Sequence, residues 1–323
     1  MSLAPLVLAL RLSAAPEPLG AALEGLPPPF PVHWLPAVVE GRDVRLAWFD
    51  VAPTVPANGR AVLLLHGKNF WGDAWADVAR ALAARGYRVI VPDQLGFGRS
   101  SKPEVHYSFE LLSLLTQKVL EAAGAKEVAV VGHSMGGMLA VRFALMFPER
   151  TTHLVLENPI GLEDYREKVP YRTIDEWYQG QLGQTQEGLR KFYQGYFTRW
   201  RPEYERWPEA AWRQLAGAEG PRVALVSALT YEMIYTQPVV QDLPRLRVPT
   251  LLVIGQSDRT AVGRAFVARE VAATLGDYSA LGKRSAGAIP GARLVEVEGV
   301  GHVPHMEAPE RFLASLLQFL GGP

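Results

Sequence analysis

The sequence predicts an α/β fold: a mostly parallel central sheet with helices on both faces and an inserted helical cap. Three observations predict it. Short runs that are apolar at every position recur along the chain, as strands buried on both faces require. Helical patterns separate them, which implies crossovers between parallel strands. The alternation stops between residues 160 and 240, a segment of helical character that holds 14 of the 31 Phe, Trp and Tyr in about a quarter of the length.

The elements follow in order. Residues 1–31 form an N-terminal extension. Its stretch Leu26–Pro31, "LPPPFP", cannot be helical because proline lacks an N–H and fixes φ, so it reads as a linker. Runs at 32–40 and 44–51, joined by Gly41-Arg42-Asp43, predict a hairpin. "RAVLLLHG" (60–67) and "YRVIVPD" (87–93) predict buried strands, with a helix over 75–84 between them that stops at Gly86. A helix over 107–122, a strand at 126–132, a helix at 135–147 and a strand at 152–159 come next. After the cap, strands at 249–255 and 292–299 and a helix at 309–320 close the chain. The core is therefore 32–159 with 241–323, and the cap is 160–240.

Composition excludes several classes of function. Lys+Arg and Asp+Glu both number 33, so no basic field exists to draw nucleic acid or anionic lipid. There is no cysteine, hence no disulfide, thiolate metal site or cysteine nucleophile. No run approaches the ~18 apolar residues that a membrane span needs. The apolar stretch Leu3–Leu10 resembles a signal-peptide core, but its first positive charge, Arg11, follows the core instead of preceding it. A cytoplasmic protein is therefore favoured, with export the expectation if that segment acts as a signal. Neither a phosphate-loop GxxxxGK[ST] nor an HExxH helix is present, and "GFGRSS" (96–101) lacks the third glycine of a dinucleotide fingerprint. No metal or nucleotide cofactor is implied.

The stretch that carries chemistry is "GHSMGG" (132–137), between a buried strand and a helix. A serine hydroxyl is a weak nucleophile until a base removes its proton. A sharp strand-to-helix turn would lift Ser134 above the sheet, and its crowding explains Gly132 and Gly136. Among seven histidines, His302 follows the last predicted strand, where a loop can hang over the strand ends. His305 reads as a local packing or capping residue, His133 as a support in the turn, and His66 as structural.

With "HGKNFWG" (66–72), "DQLGFGRSSKP" (93–103), "GQSDRT" (255–260) and "GVGHVPHMEAPERF" (299–312), the chain from about residue 32 resembles the α/β-hydrolase superfamily. Within it, the sequence looks most like cap-bearing esterase-type serine hydrolases that include the pimeloyl-carrier methyl esterases. The resemblance implies a catalytic triad in the order Ser134, Asp258, His302. Glu157 and Asp164 follow an earlier strand where some members keep the acid. Oxyanion donors would be the N–H groups of Met135 and of Lys68 or Asn69; the loop departs from the family's triple-glycine version, so Phe70 and Trp71 would wall the pocket. Tyr231 and Tyr235 of the cap are expected to line a largely apolar pocket.

The resemblance implies hydrolysis of a small-molecule carboxylic ester through an acyl-enzyme. Carbon–carbon bond hydrolases, lactonases and perhydrolases share the triad, and binding proteins occur on the same fold. Serine at 134 argues against epoxide hydrolases and haloalkane dehalogenases, which use an aspartate nucleophile. Oligomeric state is left open.

Overall fold

The computed structural model describes residues 17–321, so the signal-like stretch lies outside the described residues. Eight strands form one sheet in the order β1-β2-β4-β3-β5-β6-β7-β8. They are β1 (Val32–Val39), β2 (Arg42–Val51), β3 (Ala61–Leu65), β4 (Arg88–Pro92), β5 (Val128–His133), β6 (Thr151–Glu157), β7 (Thr250–Gly255) and β8 (Arg293–Val297). The β1–β2 hairpin and its pairing to β4 are antiparallel, and β4 to β8 run parallel.

Because each central strand is apolar throughout, alternate side chains feed two cores. Val62, Leu64 and Val131 point to one face, under α1 (Ala76–Ala83) and the closing helix over Pro309–Phe319. Leu63, Leu65 and Val130 point to the other, under α2 (Phe109–Ala122) and α3 (Met135–Met146). Ser108 caps α2 by accepting the Leu111 N–H, which fixes where the crossover turns into helix.

Four helices lie between β6 and β7: α4 (Ile174–Leu182), α5 (Gln186–Gln194), α6 (Arg206–Leu215) and α7 (Gly220–Thr236). Thr173 and Glu176 form a capping box at α4, and Trp177 stacks on Tyr231 of α7 at 4.7 Å. A third apolar cluster glues this cap to the core: Phe70 and Trp71 pack on Tyr193, Tyr196 and Trp207. The β7–β8 crossover holds α8 (Arg269–Ala272) and α9 (Tyr278–Ala288), with α9 packed on both strands. Among the described residues no helix is long and apolar enough to cross a membrane.

Before the proline run, Leu19 and Leu23 of the extension are buried in the cap–core cluster, and Leu19 N–H donates to Arg213 O of α6. The proline run forbids helix but not packing, and the apolar residues before it find the cap surface.

Candidate active site

The site sits where the strand order reverses, at the carboxyl ends of β3 and β5. Such a reversal opens a crevice because the connections leave in opposite directions. The loop after β3 and the turn after β5 both face it.

Ser134 occupies that turn with φ 56° and ψ −120°, a conformation costly for a residue with a Cβ. Its neighbours explain the glycines. A Cβ on Gly136 would collide with the carbonyls of Leu65 and His66, and one on Gly132 with the carbonyl of Gly136. The strain is held by Ser134 N–H donating to Glu157 O (3.1 Å), and by Ser134 O receiving the N–H groups of Gly137 (2.9 Å) and Ile160 (3.3 Å).

The structure brings Ser134, His302 and Asp258 together. Ser134 Oγ lies 2.9 Å from His302 Nε2, and His302 Nδ1 lies 2.6 Å from Asp258 Oδ2. All three are buried. Burial alone would raise the Asp258 carboxyl pKa, but the charge and hydrogen bond of His302 and the hydrogen bonds from Thr260 bring it below the usual value. An ionised Asp258 fixes the tautomer that leaves His302 Nε2 free to take the serine proton.

The rival groups have other work. Glu157 accepts both the N–H (2.5 Å) and the Nδ1–H (2.7 Å) of His305, which stacks on Trp75 at 4.1 Å. Asp164 binds Arg166 on the surface. His133 Nε2 donates to His302 O (2.9 Å) and so supports the loop that carries the base. His66 bridges two loops, donating from Nδ1 to Gly67 O (2.9 Å) and accepting the Gln94 N–H at Nε2 (3.1 Å); burial lowers its pKa to about 4 and keeps it neutral.

Among the described residues, neither the Met135 N–H nor the Lys68 N–H has a protein acceptor. Gly67 places its backbone so close to the serine that an added Cβ would lie 3.1 Å from Ser134 Cβ. Both N–H groups are thus free beside the nucleophile. Asn69 is instead engaged with the cap, its amide donating to Tyr196 OH (2.6 Å) and its carbonyl accepting from Tyr193 OH (2.6 Å).

Phe70, Trp71 and Tyr231 line a cavity of about 140 Å³ that also meets Lys68. Tyr235 does not line it. Its hydroxyl donates to Val169 O (2.8 Å) and its ring packs beside Tyr171. It sits one turn further along the helix than Tyr231. Among the described residues no cluster of three or more His, Asp or Glu side chains is arranged to hold a metal.

Two groups of residues escaped the sequence reading. Asn158 Nδ2 donates to Asp258 Oδ2 (2.7 Å) while its Oδ1 accepts the Gly255 N–H (2.8 Å). Glu307 joins the cap to the histidine loop: its carboxylate accepts from Gly301 N (2.8 Å), from Thr198 N (2.8 Å) and from the Thr198 hydroxyl. The only trace of Asn158 in the sequence is an Asn-Pro pair after a strand, and Glu307 looks like any helix-terminal acid.

Comparison with known proteins shows the family and the fold. The family model described as alpha/beta hydrolase fold matches residues 60–309. A crystal structure of a probable hydrolytic enzyme from Pseudomonas aeruginosa PAO1 superposes with a TM-score of 0.92 at 47% identity, covering 94% of this chain and 98% of that one. Lipase 1 of Psychrobacter immobilis is 28% identical over 77% of this chain and 73% of its own length. An uncharacterised Mycobacterium tuberculosis protein is 36% identical over 33% of this chain, and the match spans 31% of that protein's length.

Proposed function

Since the chain belongs to the alpha/beta hydrolase fold family, we propose that it is a serine hydrolase that cleaves a carboxylic ester through an acyl-enzyme, of the cap-bearing esterase type. The observation that carries this reading is the continuous relay from Ser134 Oγ through His302 to Asp258, with links of 2.9 and 2.6 Å. Ser134 Oγ attacks the acyl carbon while His302 Nε2 takes its proton. The oxyanion is received by the Met135 and Lys68 N–H groups, each worth about 2.7–4 kcal/mol of transition-state stabilisation. His302 then passes the proton to the leaving alcohol. A water, deprotonated by the same imidazole, releases the acid and restores Ser134.

The test is hydrolysis of p-nitrophenyl esters from acetate to decanoate by the wild type and Ser134→Ala, alongside a lactone and a vinylogous diketone. Ester cleavage that Ser134→Ala abolishes supports the reading. Cleavage of the lactone or diketone alone would move it to another reaction on the same triad.

A further inference from the structure

The peptide that joins Gly67 to Lys68 is held by the core at one end and by the cap at the other. Its N–H, on Lys68, has no protein acceptor among the described residues and stands beside the nucleophile turn. Its carbonyl, on Gly67, accepts from His66 Nδ1 (2.9 Å) and from the Phe70 N–H (3.1 Å). No side chain stiffens the Gly67 end, because a Cβ there would lie 2.8 Å from His133 Nδ1 and 3.1 Å from Ser134 Cβ. A glycine leaves the next peptide plane free to turn, so the direction of the N–H has to be secured from the Lys68 end.

That end is anchored in the cap. The Lys68 side chain is buried, and its Nζ lies 2.9 Å from Ser227 O, 3.0 Å from Ser227 Oγ and 2.9 Å from Thr230 Oγ1, all on α7. Nζ also sits 3.9 Å from the centroid of the Tyr231 ring, and Ser227 Oγ donates onward to Gln181 Oε1 of α4 (2.9 Å). Burial pulls the pKa of the amine well down, yet the anchor holds in either form: a neutral amine donates two hydrogens and accepts a third from a hydroxyl. Asn69 repeats the pattern on α5, its carbonyl accepting from Tyr193 OH (2.6 Å). None of the Lys68 side-chain contacts is with Ser134, Met135 or His302.

The core thus holds the Gly67 carbonyl, and α7 holds the Lys68 side chain. The peptide plane between them then has one orientation. If α7 undocks, one of the two holds is released. His302 depends on the cap as well, its N–H donating to Tyr196 O at 2.7 Å, so base and oxyanion donor are placed by the same docked surface.

We propose that Lys68 is a positioning residue: with its side chain seated on α7 it aims its own backbone N–H at the oxyanion, so the oxyanion hole is complete only when the cap is docked. The proposal rests on the ester reading above, which makes that N–H a donor to the transition state.

Two variants cut the same link from opposite sides. Lys68→Met keeps the length of the side chain and the backbone N–H but loses the hydrogen bonds to α7. Ser227→Ala with Thr230→Val removes the two hydroxyls and leaves the loop untouched. A donor displaced by about 1 Å costs on the order of 100-fold, so with p-nitrophenyl acetate each variant should lower kcat about 10–100-fold and leave KM within about twofold. The two sets combined should cost no more than Lys68→Met alone, because they break one connection. An unchanged kcat in Lys68→Met would overturn the proposal, since the bonds to the Gly67 carbonyl would then suffice. A raised KM with kcat kept would overturn it too, by making Lys68 a substrate contact. If the wild type cleaves no ester, the ester reading falls and amide exchange over residues 67–71 decides: faster exchange in both variants upholds the anchor, and unchanged exchange overturns it.

Discussion

Asn158 donates to the same oxygen of Asp258 that binds His302, at 2.7 Å against 2.6 Å. With its own carbonyl on the Gly255 N–H, it ties the ends of β6 and β7 together and sets the direction of the acid. Its φ of 38° is one that asparagine tolerates and glycine prefers. Asn158→Gly therefore removes the amide without adding strain. A hydrogen bond to a charged group contributes about 1.5–3 kcal/mol, so kcat should fall about 10–100-fold with KM little changed. Steady-state kinetics check this. An unchanged kcat would mean that the Thr260 N–H, 2.8 Å from Asp258 Oδ1, orients the acid alone.

Glu307 couples the cap to the base. One carboxylate oxygen holds Gly301, next to His302, and the other holds Thr198 of the cap. The Tyr196 carbonyl also accepts the His302 N–H at 2.7 Å. Glu307→Gln keeps the shape but turns one acceptor into a donor facing an N–H. The expected result is a fall in kcat of about tenfold or more and faster proteolysis in the segment 196–204, since the lost charged hydrogen bond and the new donor clash both loosen it. Limited proteolysis with kinetics on the same preparation reads both effects.

Much of this was legible in the sequence because the relevant signals are local. Ser134 is marked by glycines whose collisions the structure explains, and Asp258 and His302 each follow an apolar strand. The central strands were visible because their inner residues form short apolar runs. What stayed hidden depends on contacts between distant segments. Nothing near Asn158 announces Asp258, 100 residues on, and nothing near Glu307 announces Thr198. Tyr235 was misplaced because helical spacing gives a face but not a depth along the axis. Lys68 was read for its N–H alone, because the hydroxyls that hold its side-chain nitrogen lie 159 and 162 residues away.

Buried histidines set the acid limit of stability. Burial lowers His66 to about 4 and His133 to about 3, against about 6.5 in an unfolded chain. The unfolded state binds these protons and the folded state does not. Their contribution is therefore complete above pH 6.5 and is lost as pH falls toward 4. In the Glu157–His305 pair the shifts oppose, since burial pushes His305 down and Glu157 up. About two protons then remain as the difference, or about 2–3 kcal/mol per pH unit below pH 6. Thermal melts at pH 7, 6 and 5 should show Tm falling with increasing steepness. A flat profile would mean that the folded chain accommodates charged His66 and His133.

Trp207 holds the cap on the core. It is buried, with its ring 5.2 Å from Phe70 and 4.8 Å from Trp71, and Leu19 and Leu23 of the extension close the same cluster. Removing a buried tryptophan side chain costs about 3–5 kcal/mol, because the cavity collapses only in part. The loss falls on a surface between two layers, not inside one core. Trp207→Ala should therefore loosen the cap before the sheet unfolds, with rapid amide exchange in α5 and α6 while β3, β5 and β6 stay protected. Activity should fall as well, because the Asn69–Tyr196 hydrogen bond and the Tyr196 contact with His302 belong to the same docked surface. Hydrogen exchange resolved by segment separates this from global destabilisation, in which the strands and the cap helices would lose protection together.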